Sequence, residues 1–99
     1  MHYLMFYDYV PDILERRQAF RALHLAHAWQ AHERGELILG GALTDPLDQG
    51  VLLFQSETPA VAERFAAADP YVINGLVTRW RVRPWMTVVG ATASNPVRG

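Results

Sequence analysis

Met1-His2-Tyr3-Leu4-Met5-Phe6-Tyr7 opens the chain and is its most strand-like segment. From Tyr3 to Tyr7 every residue is apolar or aromatic, a composition that suits a strand. Asp8 interrupts the run and Pro11 ends it. A strand with no polar alternation is read as buried on both faces. One face can pack on helices of the same chain. The other needs a second layer, for which another copy of the chain is a natural source. The stretch has no basic leader before its apolar part, so it reads as a strand and not as a signal peptide.

The elements that follow supply the first layer. Pro11 and Asp12 open a helical pattern expected to run from about residue 12 to 34, roughly six turns. Ile13, Phe20, Leu23, His27 and Ala31 fall on or near one stripe, and Gly35 is a suitable stop. Residues 36–43 read as a second strand around Leu37-Ile38-Leu39. Residues 44–50 are turn chemistry, and residues 51–55 are a third strand, so the two make a hairpin. Thr58-Pro59 starts a shorter helix, with Thr58 as cap and Pro59 at the first position. Pro70 is expected to end it. Residues 76–84 form a fourth strand, with Thr78, Trp80 and Val82 on one face and Arg79, Arg81 and Arg83 on the other. Residues 85–89 continue as an arm or a short fifth strand, and residues 91–99 form a small, polar, mobile tail.

The order is βαββαβ. The handedness of crossovers favours a ferredoxin-like split-βαβ sheet with both helices on one face, an α+β architecture. The bare face and the short chain of 99 residues together point to a homodimer. One domain over residues 1–90 accounts for all of it.

Composition narrows the chemistry. There is no cysteine, so thiol nucleophiles, disulfides and cysteine-ligated metals are excluded. Net charge is −1, which offers no bulk attraction to nucleic acid or an anionic membrane. No apolar run approaches the ~18 residues of a membrane helix. A soluble cytoplasmic protein is the expectation. No Gly-rich phosphate loop occurs; Gly40-Gly41 has neither the spacing nor a following helix. The arginine row reads as protection of an edge strand or as an attraction for carboxylates and phenolates.

Two short stretches carry the candidate site. Arg21-Ala22-Leu23-His24-Leu25 lies on the long helix, and Ala68-Asp69-Pro70-Tyr71 lies past the end of the short one. If both helices cover one sheet face, His24 and Asp69 can meet. A carboxylate then sets the tautomer and basicity of the imidazole. A carboxylate at a helix C-terminus opposes the helix dipole, which calls for a compensating partner such as His24 or Arg21. Arg21 stands three residues before His24 and so near the same helix face. His24 and His27, with Asp69, are also a conceivable metal set, but no Glu-x-x-His pattern or second ligand cluster supports it.

These pieces, with Gly40-Gly41-Ala42-Leu43, Gly75-Leu76 and Arg83-Pro84-Trp85, resemble the YciI-related family of the dimeric α+β barrel superfamily in order and spacing over residues 1–89. The resemblance implies a homodimer with facing sheets and a pocket near a His/Asp pair, by position His24 and Asp69. The catalytic role best associated with the family is removal of chloride from a chlorinated hydroxyhydroquinone. The expectation is a small-molecule enzyme in which His24 and Asp69 move a proton, Arg21 aids electrostatically and Tyr3 or Tyr7 lines the pocket. Such chemistry runs on side chains and needs no cofactor. The alternative is a non-catalytic ligand-binding or interaction module in which the pair is a structural link.

Overall fold

A computed structural model describes residues 1–99. The elements are β1 (His2–Tyr9), α1 (Ile13–Arg16), α2 (Arg21–Glu33), β2 (Leu37–Ala42), β3 (Gln49–Gln55), α3 (Ala60–Ala68), α4 (Pro70–Ile73) and β4 (Val77–Trp85). The four strands form one sheet in the order β2-β3-β1-β4. Every neighbouring pair is antiparallel. This is the ferredoxin-like α+β arrangement expected from the order of elements.

The apolar opening strand takes a central place. Tyr3, Met5 and Tyr7 alternate onto the helix-covered face, opposite Phe54, Leu52 and Gly50 of β3 and Pro84, Val82 and Trp80 of β4. With Ile13, Phe65, Tyr71 and Leu76 they make the core. Leu4 and Phe6 point to the other face, beside Leu53 and Val51. That face is open: Leu4, Phe6, Val51 and Leu53 are half-buried, and Leu39 is 71% exposed. Arg79, Arg81 and Arg83 share it, as the alternation of β4 requires. Asp8 receives Arg79 and Arg81 at 3.4 and 3.6 Å, and the Arg81 guanidinium lies 4.9 Å from the Phe6 ring centre.

One local expectation is corrected and two are filled in. The long helix is not continuous. After α1 the chain tightens into a 3-10 turn over Arg17–Ala19, and Phe20 leaves helical geometry at φ −122° before α2 starts. Nothing in the composition of residues 12–21 breaks a helix. The break follows from anchoring: Ile13 is buried and Arg16 donates to the Asn74 carbonyl, which holds the first turn against α4 while α2 follows the sheet. Tertiary contacts override propensity here. Leu23, placed on the buried stripe, is consequently 61% exposed.

Pro70 also does more than stop a helix. The chain turns at Asp69, whose ψ of 124° is extended, and Pro70 then begins α4. No fifth strand forms after Trp85. The arm instead folds on the tail: the Asn95 and Val97 amides donate to the Thr87 and Val88 carbonyls. No helix is long and apolar enough to cross a membrane.

Candidate active site

Asp69 is the junction of the site. Its carboxylate is fully buried and accepts three donors. The Tyr7 hydroxyl reaches Oδ2 at 2.7 Å, from β1. The Tyr71 amide reaches Oδ1 at 3.0 Å, as an N-cap bond at the start of α4. His24 Nδ1, on α2, lies 2.8 Å from Oδ1 and 3.0 Å from Oδ2. A sequence view of Asp69 as a carboxylate at an unfavourable helix end is therefore incomplete. It also opens the next helical turn, where the dipole favours it.

This network defines the imidazole. A carboxylate is an acceptor only, so Nδ1 carries the proton and donates it. Nε2 then holds a lone pair. It has no protein partner, yet it is not sealed from solvent, and the whole His24 side chain is 14% exposed. The Tyr71 ring stacks on the imidazole at 3.8 Å and 5°, fixing its plane. Tyr9 meets Tyr71 edge-on at 6.5 Å.

His24 and Tyr71 open onto a cavity of about 500 Å³ between α2 and the β2–β3 half of the sheet. Arg17, Arg21, Tyr9, Leu25, Ala28, Trp29 and His32 line it from one side, and Leu37–Ala42 with Leu52 from the other. A small-molecule site has this size and this mixture of apolar walls with few polar groups. His32 donates through Nδ1 to the Leu37 carbonyl at 2.7 Å and so pins the end of α2 to β2.

Burial decides the state of the tyrosines. Removal from water, with the adjacent Asp69 charge, pushes the Tyr7 hydroxyl far above its usual range, so it stays a proton donor to Asp69. Burial raises Tyr9 to about 12, against a lowering pull from Arg17 and Arg21. Tyr71 is raised in the same way.

The candidate residues are sorted by this geometry. His24, Asp69 and Tyr7 come together, and Arg21 stands on the cavity wall. Tyr7 does not line the cavity; it sits behind Asp69 as its hydrogen-bond donor. Tyr3 is elsewhere. It lies four residues along the same strand face, and its hydroxyl is 3.4 Å from the Glu57 carbonyl. A shared face does not bring the two ends of a strand to one pocket, at ~3.4 Å of rise per residue. His27 points away as well: Nε2 donates to the Phe65 carbonyl at 2.9 Å and its ring stacks on Phe65. No three acidic, histidine or cysteine side chains converge as a metal set. Arg17, Tyr9, Tyr71 and Trp29 were not singled out from sequence. Tyr71 had a signal, as the aromatic immediately after Asp69-Pro70; Arg17 had none, because only the 3-10 turn brings it to the cavity.

The chain is thus a ferredoxin-like α+β protein with a buried carboxylate–imidazole pair beside a cavity of about 500 Å³. Residues 1–86 match the YCII-related domain, and the chain belongs to that family. It is 33% identical to an uncharacterized protein of Haemophilus influenzae and 31% identical to Protein YciI of Escherichia coli, each over 97 aligned residues that take in 89% of this chain and 99% of the relative. Among solved structures, the 5-chloro-2-hydroxyhydroquinone dehydrochlorinase of Burkholderia phenoliruptrix, in complex with 2,5-dihydroxybenzoquinone, superposes with a TM-score of 0.74 over 88% of this chain and 95% of that one, at 21% identity. A NIPSNAP family protein of Agrobacterium tumefaciens superposes with a TM-score of 0.60 at 15% identity, over 94% and 95% of the two chains. Both share the fold.

Proposed function

We propose that the chain is an acid–base enzyme acting on a small hydroxylated, ring-shaped substrate, with His24 as the proton-transfer group. The single observation that carries this reading is the division of labour on the imidazole: Nδ1 is committed to Asp69, and Nε2 stands unpartnered at the cavity. Nε2 takes a proton from a substrate hydroxyl. As that oxygen becomes a ring carbonyl, Nε2 returns the proton to the ring carbon that bears the leaving group. Loss of a second hydroxyl proton to Nε2 then forms the other carbonyl and expels the leaving group with its bonding pair, so that one proton and one anion depart in all. Asp69 balances the imidazolium that forms. Tyr7 and the Tyr71 amide hold Asp69, and the Tyr71 ring holds the plane of the base. Aromatic walls suit a flat substrate. The kinship of fold with a dehydrochlorinase makes loss of hydrogen chloride a reasonable first reaction to try.

Chloride release from 5-chloro-2-hydroxyhydroquinone is the test. Wild type is expected to release chloride faster than buffer, and His24→Ala to lose about 10²-fold or more of that acceleration, the usual contribution of a positioned base. Equal rates in wild type and His24→Ala would remove His24 from the chemistry.

The same reading includes a second copy on the open sheet face. Leu4, Phe6, Leu39, Val51 and Leu53 form an apolar centre, and a facing sheet of the same composition is self-complementary. Sedimentation equilibrium checks this: a dimer is expected for wild type and a monomer for Phe6→Glu. A wild-type monomer at micromolar concentration would overturn the pairing.

A further inference from the structure

The cavity carries more positive charge than its chemistry as a base requires. Arg17 and Arg21 both line it, on either side of the break at Phe20. Neither guanidinium has an ion pair or a hydrogen bond within the chain. This is unusual for their setting, since the chain has ten acidic residues against nine basic ones. The acidic side chain belonging to the site, Asp69, is already saturated by three donors behind the imidazole. No acidic side chain lines the cavity. The sign is uniform: α2 starts without a side-chain cap and with no acidic residue in its first turn, so its dipole adds positive potential at the same end. Two arginines left free beside a partly closed apolar space make a receptor for a planar anion, because a guanidinium meets carboxylate-like oxygens through parallel N–H donors.

We infer that the cavity takes a substrate already anionic at neutral pH, a ring carboxylate or an acidic phenol or enol, whose charged oxygens lie against Arg17 and Arg21 while a neighbouring proton faces Nε2 of His24. The inference rests on the reading of the cavity as the substrate site, and it adds the charge of the substrate and the residues that read it. Tyr9 belongs to the same arrangement. Its hydroxyl makes no hydrogen bond within the chain, and it stays protonated under ordinary conditions. It can therefore donate to an anion without competing with it. The arginines are binding groups; His24 remains the group that moves the proton.

Calorimetric titration with two matched probes tests the inference. 2,5-Dihydroxybenzoquinone is a vinylogous acid and ionised at neutral pH, whereas its dimethyl ether is neutral with the same ring. Wild type is expected to bind the anion about tenfold or more tighter than the ether, and that preference is expected to shrink in rising salt. Arg17→Gln/Arg21→Gln is expected to lose the preference with its melting temperature unchanged, and His24→Asn to keep it. Equal binding of both probes, an undiminished preference in the double variant, or no binding of the anion by wild type up to about 1 mM would overturn the inference. The two readings fail separately. Loss of preference without loss of His24-dependent turnover removes only the anion subsite. A retained preference with no His24-dependent turnover leaves an anion-binding cavity and removes the enzyme.

Discussion

A histidine sits out of bulk water near each end of β1, and the two are chemically unlike. Near one end His24 of α2, linked to Tyr7 through Asp69, gives Nδ1 to that carboxylate and leaves Nε2 at a cavity. At the other, His2 is 3% exposed beneath the arm. Its Nδ1 meets the hydroxyls of Thr87 and Ser94 at 2.6 and 3.1 Å, and its Nε2 is buried with no partner. A hydroxyl can donate or accept, so nothing there selects a tautomer. A carboxylate can only accept, so at His24 the tautomer is set. Burial alone does not fix which nitrogen of a histidine carries the proton; the identity of its partner does.

Substitutions around both histidines test this contrast. The largest effect is expected from Asp69→Ala, which strands the Tyr7 hydroxyl, the Tyr71 amide and His24 Nδ1 together. A loss of about 3 kcal/mol in urea unfolding is expected, in the range for breaking a buried charged network. Asp69→Asn keeps the packing but can donate, so nitrogen chemical shifts of His24 should report a loss of the Nδ1–H tautomer. Those of His2 should not move.

Gly50→Ala is next. Gly50 pairs with Tyr7 in β3, and a methyl group there would collide with the Tyr9 hydroxyl and crowd its ring at 3.0 Å. Overpacking of this kind costs about 2 kcal/mol. Adding Tyr9→Phe removes the hydroxyl and should recover part of the loss. If Gly50→Ala is neutral, Tyr9 is not held against the strand.

Tyr7→Phe removes one donor and should cost about 1 kcal/mol near neutral pH. Its signature lies at high pH. In the unfolded chain tyrosine ionises near pH 10, while burial keeps Tyr7, Tyr9 and Tyr71 protonated above that. The unfolded state then binds fewer protons than the folded one, so stability is intact below about pH 10 and falls as pH rises further. Tyr7→Phe should flatten that fall. Unfolding midpoints from pH 8 to 11 check it, and an unchanged slope would contradict the assignment.

The smallest effect is expected at the other end. His2→Leu removes a buried orphan nitrogen together with its ring, and should change stability by about 1 kcal/mol or less without altering ligand binding in the cavity. A large loss of binding would show that the two ends are coupled.

Much of this was legible in the residues. The apolar run of β1, the hairpin turn and the Thr58-Pro59 start carry local signals strong enough to order the sheet. The pairing of His24 with Asp69 followed once both helices lay on one face. What was not legible depends on distant contacts. The break at Arg17–Ala19 has no helix-breaking residue; anchoring of Ile13 and Arg16 makes it, and with it the place of Arg17 on the cavity wall. Tyr3 and Tyr7 look equivalent by alternation. Only Tyr7 stands opposite the Asp69 turn.

Asp69 holds the fold and the imidazole with the same two oxygens. It joins β1, α2 and α4 across 62 and 45 residues of chain. Any sequence that keeps this packing therefore keeps the oriented imidazole, because loss of the carboxylate strands its donors in the core. The plane and tautomer of the imidazole are thus set by folding, before any ligand arrives. New specificities within this architecture should be sought on the cavity wall, at the positions of Arg17, Arg21 and Trp29, where substitution leaves the junction intact.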